Sequence, residues 1–272
     1  MIIAGIGSNG GIGQTTLLAN FFVALHAKKK NVYWVSLSNL VPPLLLHPED
    51  KWTEVETIYR EIPVWDKQTC AFCDSCQKVC NSGALSRYAD FYVVYTELCN
   101  SCAACIYACN KHALKFDHKK IGIMEQYSVH QNILRVNLHN REIFGPWHLK
   151  KAVELVLKKF PVDSFFLLDI PSGFRELWAD MFNLSDVVLF FTNDISMWEM
   201  LYKSVTHDQA TFLLVVKSDV YDIFSERGFS FALPLPYSKK ISEESIQGNI
   251  VTNKQYQNVI QELFLSMNID VE

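Results

Sequence analysis

Short, unbroken apolar runs recur along the chain, separated by stretches of helical period. Ile2–Ile6, Val32–Leu37, Ser164–Asp169, Val187–Phe191 and Phe212–Val216 read as strands buried on both faces. Gln14–Ala27, Trp147–Lys159, the stretch around Met197–Ser204 and the segment from about Lys254 to Met267 read as helices. Such alternation predicts an α/β fold with a doubly wound, mostly parallel sheet. Residues 61–119 interrupt the pattern with a cysteine-rich segment. The expected organisation is a scaffold of residues 1–60 and 120–272 carrying an insert of residues 61–119.

Composition narrows the function classes. At 272 residues the chain has room for one large domain and a small insert, and 49% hydrophobic content supplies a substantial core. A net charge of −4 argues against nucleic acid as the main partner, because phosphate-backbone binding needs a basic face. Short lysine runs at Lys28–Lys30, Lys150–Lys151 and Lys239–Lys240 read as solvated helix ends or loop tips. No apolar run is long enough to span a membrane, and the first residues read as a strand rather than a signal peptide. The expected location is the cytoplasm, where clustered cysteines serve metal ligation more readily than disulfides.

All eight cysteines fall in two runs of one spacing: Cys70, Cys73, Cys76, Cys80 and Cys99, Cys102, Cys105, Cys109. Three thiols at two-residue intervals lie on one tight loop, and the fourth follows after three residues. The runs continue into a shared Asn-x-x-Ala-Leu block, Asn81–Leu85 and Asn110–Leu114, which marks an internal duplication. The spacing resembles that of bacterial two-cluster ferredoxins. That resemblance implies two [4Fe–4S] clusters with a crossed ligand set, Cys70, Cys73, Cys76 and Cys109 on one and Cys99, Cys102, Cys105 and Cys80 on the other. The proline that usually follows the fourth cysteine is replaced by Asn81 and Asn110, which changes the turn but removes no ligand. A pair of structural zinc sites is the alternative for CxxC pairs, although two identical quartets are not zinc-knuckle spacing. His112 and His118 nearby read as ordinary histidines.

Between the first strand and helix lies Gly7-Ser8-Asn9-Gly10-Gly11-Ile12-Gly13-Gln14-Thr15-Thr16. This loop resembles the P-loop of the ParA/MinD ATPases, Lys-Gly-Gly-x-Gly-Lys-Thr-Thr. Asp169-Ile170-Pro171-Ser172-Gly173 is similar to the second switch of that superfamily, and Leu233–Tyr237 to its Ile-Pro-Tyr segment. Over nearly its whole length the chain resembles MinD-superfamily P-loop ATPases that contain a ferredoxin domain. The fold so implied is a P-loop NTPase-like sheet with an inserted bacterial-ferredoxin-like α+β domain. The implied nucleotide-site residues are Gly10, Gly11, Gly13, Gln14, Thr15, Thr16 and Asp169, with ATP and Mg²⁺ as the ligands in question.

The departures from that pattern bear on chemistry. Gln14 replaces the phosphate-cradling lysine, and Asn9 replaces the signature lysine that reaches a partner's nucleotide. The acidic first-switch segment aligns with Ser36–Pro43, which has no carboxylate, and Val216 replaces the asparagine of the base-contacting motif. Phosphoryl transfer rests on positioning and charge neutralisation, so these losses predict no independent ATPase activity. The glycines permit an anion-binding nest at a helix N-terminus, or they simply preserve a tight turn. The expected function is therefore an iron–sulfur electron-transfer subunit on a non-hydrolysing scaffold, working in a redox complex. Its partners would be redox proteins, and the resemblance adds a heterodimer with an intact relative or a homodimer. The alternatives are an ATP-gated reductase or regulator and a cluster carrier or maturation factor. Trp178, Phe182, Trp198 and Tyr202 are candidate interface aromatics, with core packing the favoured reading.

Overall fold

The computed structural model describes all residues except 38, 39, 50, 129–131, 139–145, 162, 173–177, 205–210, 218–231 and 270–272. Ser38, Asn39, Gly173 and Asp219, with the side chains of Phe182 and Tyr202, thus lie outside the described residues. In chain order the elements begin β1 Ile2–Gly7, α1 Gln14–Ala27, β2 Val32–Ser36, β3 Trp52–Trp65, α2 Ser75–Lys78, β4 Leu85–Tyr88, β5 Phe91–Val94 and α3 Ala104–Tyr107. They continue β6 Leu114–Tyr127, β7 Ile133–Leu138, α4 Pro146–Lys159, β8 Phe165–Ile170, α5 Trp178–Leu184, β9 Val187–Thr192 and α6 Ile195–Ser204. The chain ends with β10 Thr211–Lys217, β11 Ala232–Leu235, α7 Lys239–Ile246 and α8 Lys254–Ser266.

Two compact units divide the chain. The first comprises Met1–Val55, Met124–Asn137 and Leu149–Glu272; the second comprises Glu56–Ile123 and Leu138–His148. The main sheet runs β11-β10-β9-β1-β8-β2-β7-β6-β3. From β11 to β7 the strands pair in parallel. The order reverses direction about β1, which puts the turn after β1 at the crevice where α/β sheets bind ligands.

The core of the first unit explains why the phosphate-loop segment sits where it does. Leu17, Leu18, Phe21 and Leu25 of α1 are fully buried against Ile3, Trp34, Leu167 and Leu189 of the sheet. A Cβ at Gly5 would come within 2.4 Å of Leu18, so glycine there lets α1 lie directly on β1. Phe21 also meets Phe264 of α8 edge-on at 5.1 Å. Trp178 and Trp198 are buried and pack on Phe190 of β9, which makes both of them core residues.

The second unit is built on a repeated backbone. Phe72 and Asp74 adopt positive φ, and so do Ser101 and Ala103, each pair at the same place in its cysteine run. Gly83 and His112 repeat this after the fourth cysteine. Each cysteine loop then enters a four-residue helix, α2 or α3. The duplication seen in the cysteine spacing is thus a duplication of backbone conformation.

Candidate functional site

The turn after β1 wraps the N-terminus of α1. Gly11 and Gly13 take positive φ of 72° and 94°, and a Cβ at Gly13 would press on Leu235 at 2.8 Å. No side chain caps α1 and its first turn has no acidic residue, so the helix N-terminus is left for an anion. A cavity of about 310 Å³ is lined by Asn9–Thr16, Leu40 and Asp169–Ser172. The structure therefore brings Gly10, Gly11, Gly13, Gln14, Thr15, Thr16 and Asp169 to one site. A second cavity, of about 330 Å³, lies across the same loop, lined by Gly11–Gly13 and Thr16 on one side and by Leu235–Tyr237, α7 and Tyr256 on the other.

Gln14 is buried, with its amide turned into the fold. Its Nε2 donates to Gly5 O at 3.1 Å, Asp169 Oδ1 at 2.8 Å and Ile170 O at 2.7 Å. The arrangement needs Gly7, where a Cβ would stand 2.6 Å from Gln14 Oε1. Thr15 Oγ1 donates to both oxygens of Asp169, at 3.2 and 3.0 Å. Thr15 and Asp169, both among the expected nucleotide-site residues, are thus hydrogen-bonded to each other.

Burial pushes the Asp169 carboxyl up to about 6, against the hydrogen bonds from Gln14 and Thr15 that favour its charged form. The folded state holds this proton more tightly than the unfolded chain does. The resulting stabilisation is complete below about pH 4 and is lost as pH rises through 6. Asp169→Asn removes the titrating group. Relative to wild type, it should gain about 2–3 kcal/mol between pH 4 and 7, read from urea unfolding at each pH. A difference that stays constant across that range would contradict the assignment.

In the second unit the cysteines gather crosswise. Cys80, Cys99, Cys102 and Cys105 line one small hollow with Ser82 and Ser101. Burial pushes the Cys105 thiol up to about 11, with the Cys99, Cys80 and Cys102 thiols adding to the rise. Burial also raises Cys76, and its added neighbours are Cys109 and Cys70. Backbone N–H groups point at sulfur in both loops: Phe72 to Cys70 and Ser101 to Cys99, each at 3.4 Å. Ala113 N–H donates to Cys109 Sγ at 3.2 Å. Cys73 and Cys102 are exposed.

No protein-family model and no curated protein matches the chain. Solved structures do. It is similar to the MinD cell division protein of Aquifex aeolicus, at 14% identity and TM-score 0.51, covering 100% of this chain and 98% of that one. It is likewise similar to the MinC:MinD cell division protein complex of the same organism, at 14% identity and TM-score 0.50, covering 100% and 97%. The large, mostly parallel α/β sheet is that of the MinD-like P-loop NTPases.

These findings correct the functional expectation drawn from the cysteines. Both similar structures are of cell division proteins, and neither points to an electron-transfer role. Among the described residues, no three or more His, Cys, Asp or Glu side chains converge to hold a metal ion. The electron-transfer subunit in a redox complex is therefore set aside, and its variants, the gated reductase and the cluster carrier, go with it. The ferredoxin reading of residues 61–119 rested on the cysteine spacing and the repeated Asn-x-x-Ala-Leu block, and it gains nothing from these comparisons. Among the described residues no helix is long and apolar enough to cross a membrane. Sequence reasoning missed the inward course of Gln14, for which Gly7 was the available signal.

Proposed function

We propose that this chain is a non-hydrolysing MinD-like protein that binds a nucleotide around the Gly10–Thr16 loop and does not turn it over. One observation carries the reading. At the position of the phosphate-cradling lysine, Gln14 is neutral, buried and committed to Gly5, Asp169 and Ile170. Such a residue supports the loop but supplies no cation to a developing negative charge. The glycine turn, the uncapped helix and the two flanking cavities support binding. MinD was solved in complex with MinC. We carry from this only that the fold accommodates a protein partner.

Isothermal titration of the full chain with ATP and Mg²⁺ tests the reading. Binding should be detectable, and about 10- to 100-fold weaker than in a Gln14→Lys variant, the worth of one charge-assisted contact. A flat titration for both proteins would sink it.

For the eight thiols we propose occupants only: two [4Fe–4S] clusters, one on Cys70, Cys73, Cys76 and Cys109 and one on Cys99, Cys102, Cys105 and Cys80. The crossed gathering and the N–H groups directed at sulfur support this assignment. A cubane takes one thiolate at each iron, so its ligands need not converge on one point as those of a single ion do. When bound, the clusters would supply a covalent tie between the two loops, and no electron-transfer role is assigned. Anaerobically purified protein should contain iron and acid-labile sulfide in equal amounts, about four of each per quartet. Zinc without sulfide would overturn the assignment.

A further inference from the structure

The two cysteine loops repeat one backbone, yet the turns that lead into them are held by different groups. Lys67–Cys70 and Thr96–Cys99 occupy the same place ahead of the first and second runs. The first turn is held from within: the Asp66 carboxylate accepts from Gln68 N–H at 3.0 Å and from the Thr69 hydroxyl. The second is held from another strand, by Arg60 of β3. Its Nη1 donates to Cys99 O at 2.8 Å and its Nη2 to Thr96 O. Thr96 O also accepts from Cys99 N–H at 3.3 Å, which closes the turn. Arg60 is 2% exposed and shares the buried face of β3 with Ile58, while Tyr59 and Glu61 on the other face are exposed.

A guanidinium is a rigid fork, so it holds the Thr96 and Cys99 carbonyls in one fixed relation. Fixing the Cys99 carbonyl sets the peptide plane from which the loop starts. Ser101 then takes positive φ and directs its N–H at Cys99 Sγ, at 3.4 Å. The place of the Cys99 thiol in the hollow it shares with Cys80, Cys102 and Cys105 therefore depends on a buried side chain of β3. A four-thiolate site binds only while its ligands keep their mutual geometry, and hydrogen bonds behind the ligands set it. We propose that Arg60 is the positioning residue of this second quartet alone, so that the two quartets fill independently and replacing Arg60 empties one of them. The inference rests on the two-cluster occupants proposed above and adds what holds one site in shape.

The test uses the anaerobically purified full chain as wild type, Arg60→Met and Arg60→Lys. Iron and acid-labile sulfide are assayed, and alkylation of each cysteine by iodoacetamide is read by mass spectrometry. Wild type should hold about eight irons and eight sulfides, and Arg60→Met about four of each. In Arg60→Met the thiols that react should be Cys80, Cys99, Cys102 and Cys105, with Cys70, Cys73, Cys76 and Cys109 still protected. That pattern frees one cysteine of the first run and keeps one of the second, which local unfolding of the second loop would not do. Arg60→Lys keeps the charge without the fork, so the same four thiols should react in part. If Arg60→Met reacts throughout because its unit does not fold, Arg60→Lys carries the test. Full loading of Arg60→Met would overturn the inference. So would reaction at all eight cysteines in both variants, or at Cys109 together with Cys99, Cys102 and Cys105. Zinc without sulfide in wild type would overturn the occupants themselves, a failure already visible before Arg60 is changed.

Discussion

Replacing Gln14 by alanine should cost the fold about 3–5 kcal/mol, measured as urea unfolding followed by tryptophan fluorescence. The residue looks like part of a surface loop, yet its amide ties the end of β1 to the end of β8 through Gly5 O, Asp169 and Ile170 O. Its two N–H groups are shared among these three acceptors, so removing it leaves about two buried acceptors without a donor, and each costs about 1–3 kcal/mol. Gln14→Met keeps the volume and loses the hydrogen bonds, so it should be destabilised nearly as much. Trp34 and Trp198 are both buried and report the transition directly. If both variants fall within about 1 kcal/mol of wild type, the amide is not the tie described here.

The second large effect is catalytic. Turnover of ATP should lie at least about 1,000-fold below that of an intact P-loop ATPase, and Gln14→Lys alone should not bring it back. Three elements of phosphoryl transfer are absent together: the loop lysine, the signature lysine at Asn9, and the carboxylates of the first switch across Ser36–Pro43. Charge stabilisation and water positioning act as a unit, so restoring one member yields little. The variant should bind ATP more tightly and still release no phosphate. Recovered turnover in Gln14→Lys would place the whole defect at that one position.

Much of the scaffold was legible because its strands are buried on both faces and read as continuous apolar runs. Ile2–Ile6 and Val187–Phe191 were each found to within a residue of β1 and β9. The boundaries of α1 matched the expected helix at both ends. By contrast, β3 was not seen, and of β6 only Lys115–Asp117 read as strand-like, although each strand is 14 residues long. Trp52–Trp65 intersperses Glu54, Glu56, Arg60 and Glu61 among its apolar residues, and only Ile58, Arg60 and Pro63 are buried in it. A strand whose two faces both mix polar and apolar residues has no run to read. Cutting the scaffold at residues 60 and 120 also fell inside both strands.

At the site, chemistry was legible as loss but not as gain. Gln14 in place of lysine announced a missing cation. Nothing in its identity announced three inward hydrogen bonds, because these depend on where the ends of β1 and β8 meet. Gly7 carried part of that signal, since any larger residue there would collide with the Gln14 amide. The cysteines show the opposite limit. Their spacing marked a duplicated segment whose backbone conformation repeats in the two loops, yet spacing says nothing about what such a unit is for.

Phosphate release by the purified full chain with saturating ATP and Mg²⁺ tests the central claim most directly. No release above the protein-free background is predicted, from a protein that binds ATP in a parallel titration. Steady turnover that Asp169→Asn abolishes would contradict it, and would mean that Gln14 does not silence this site.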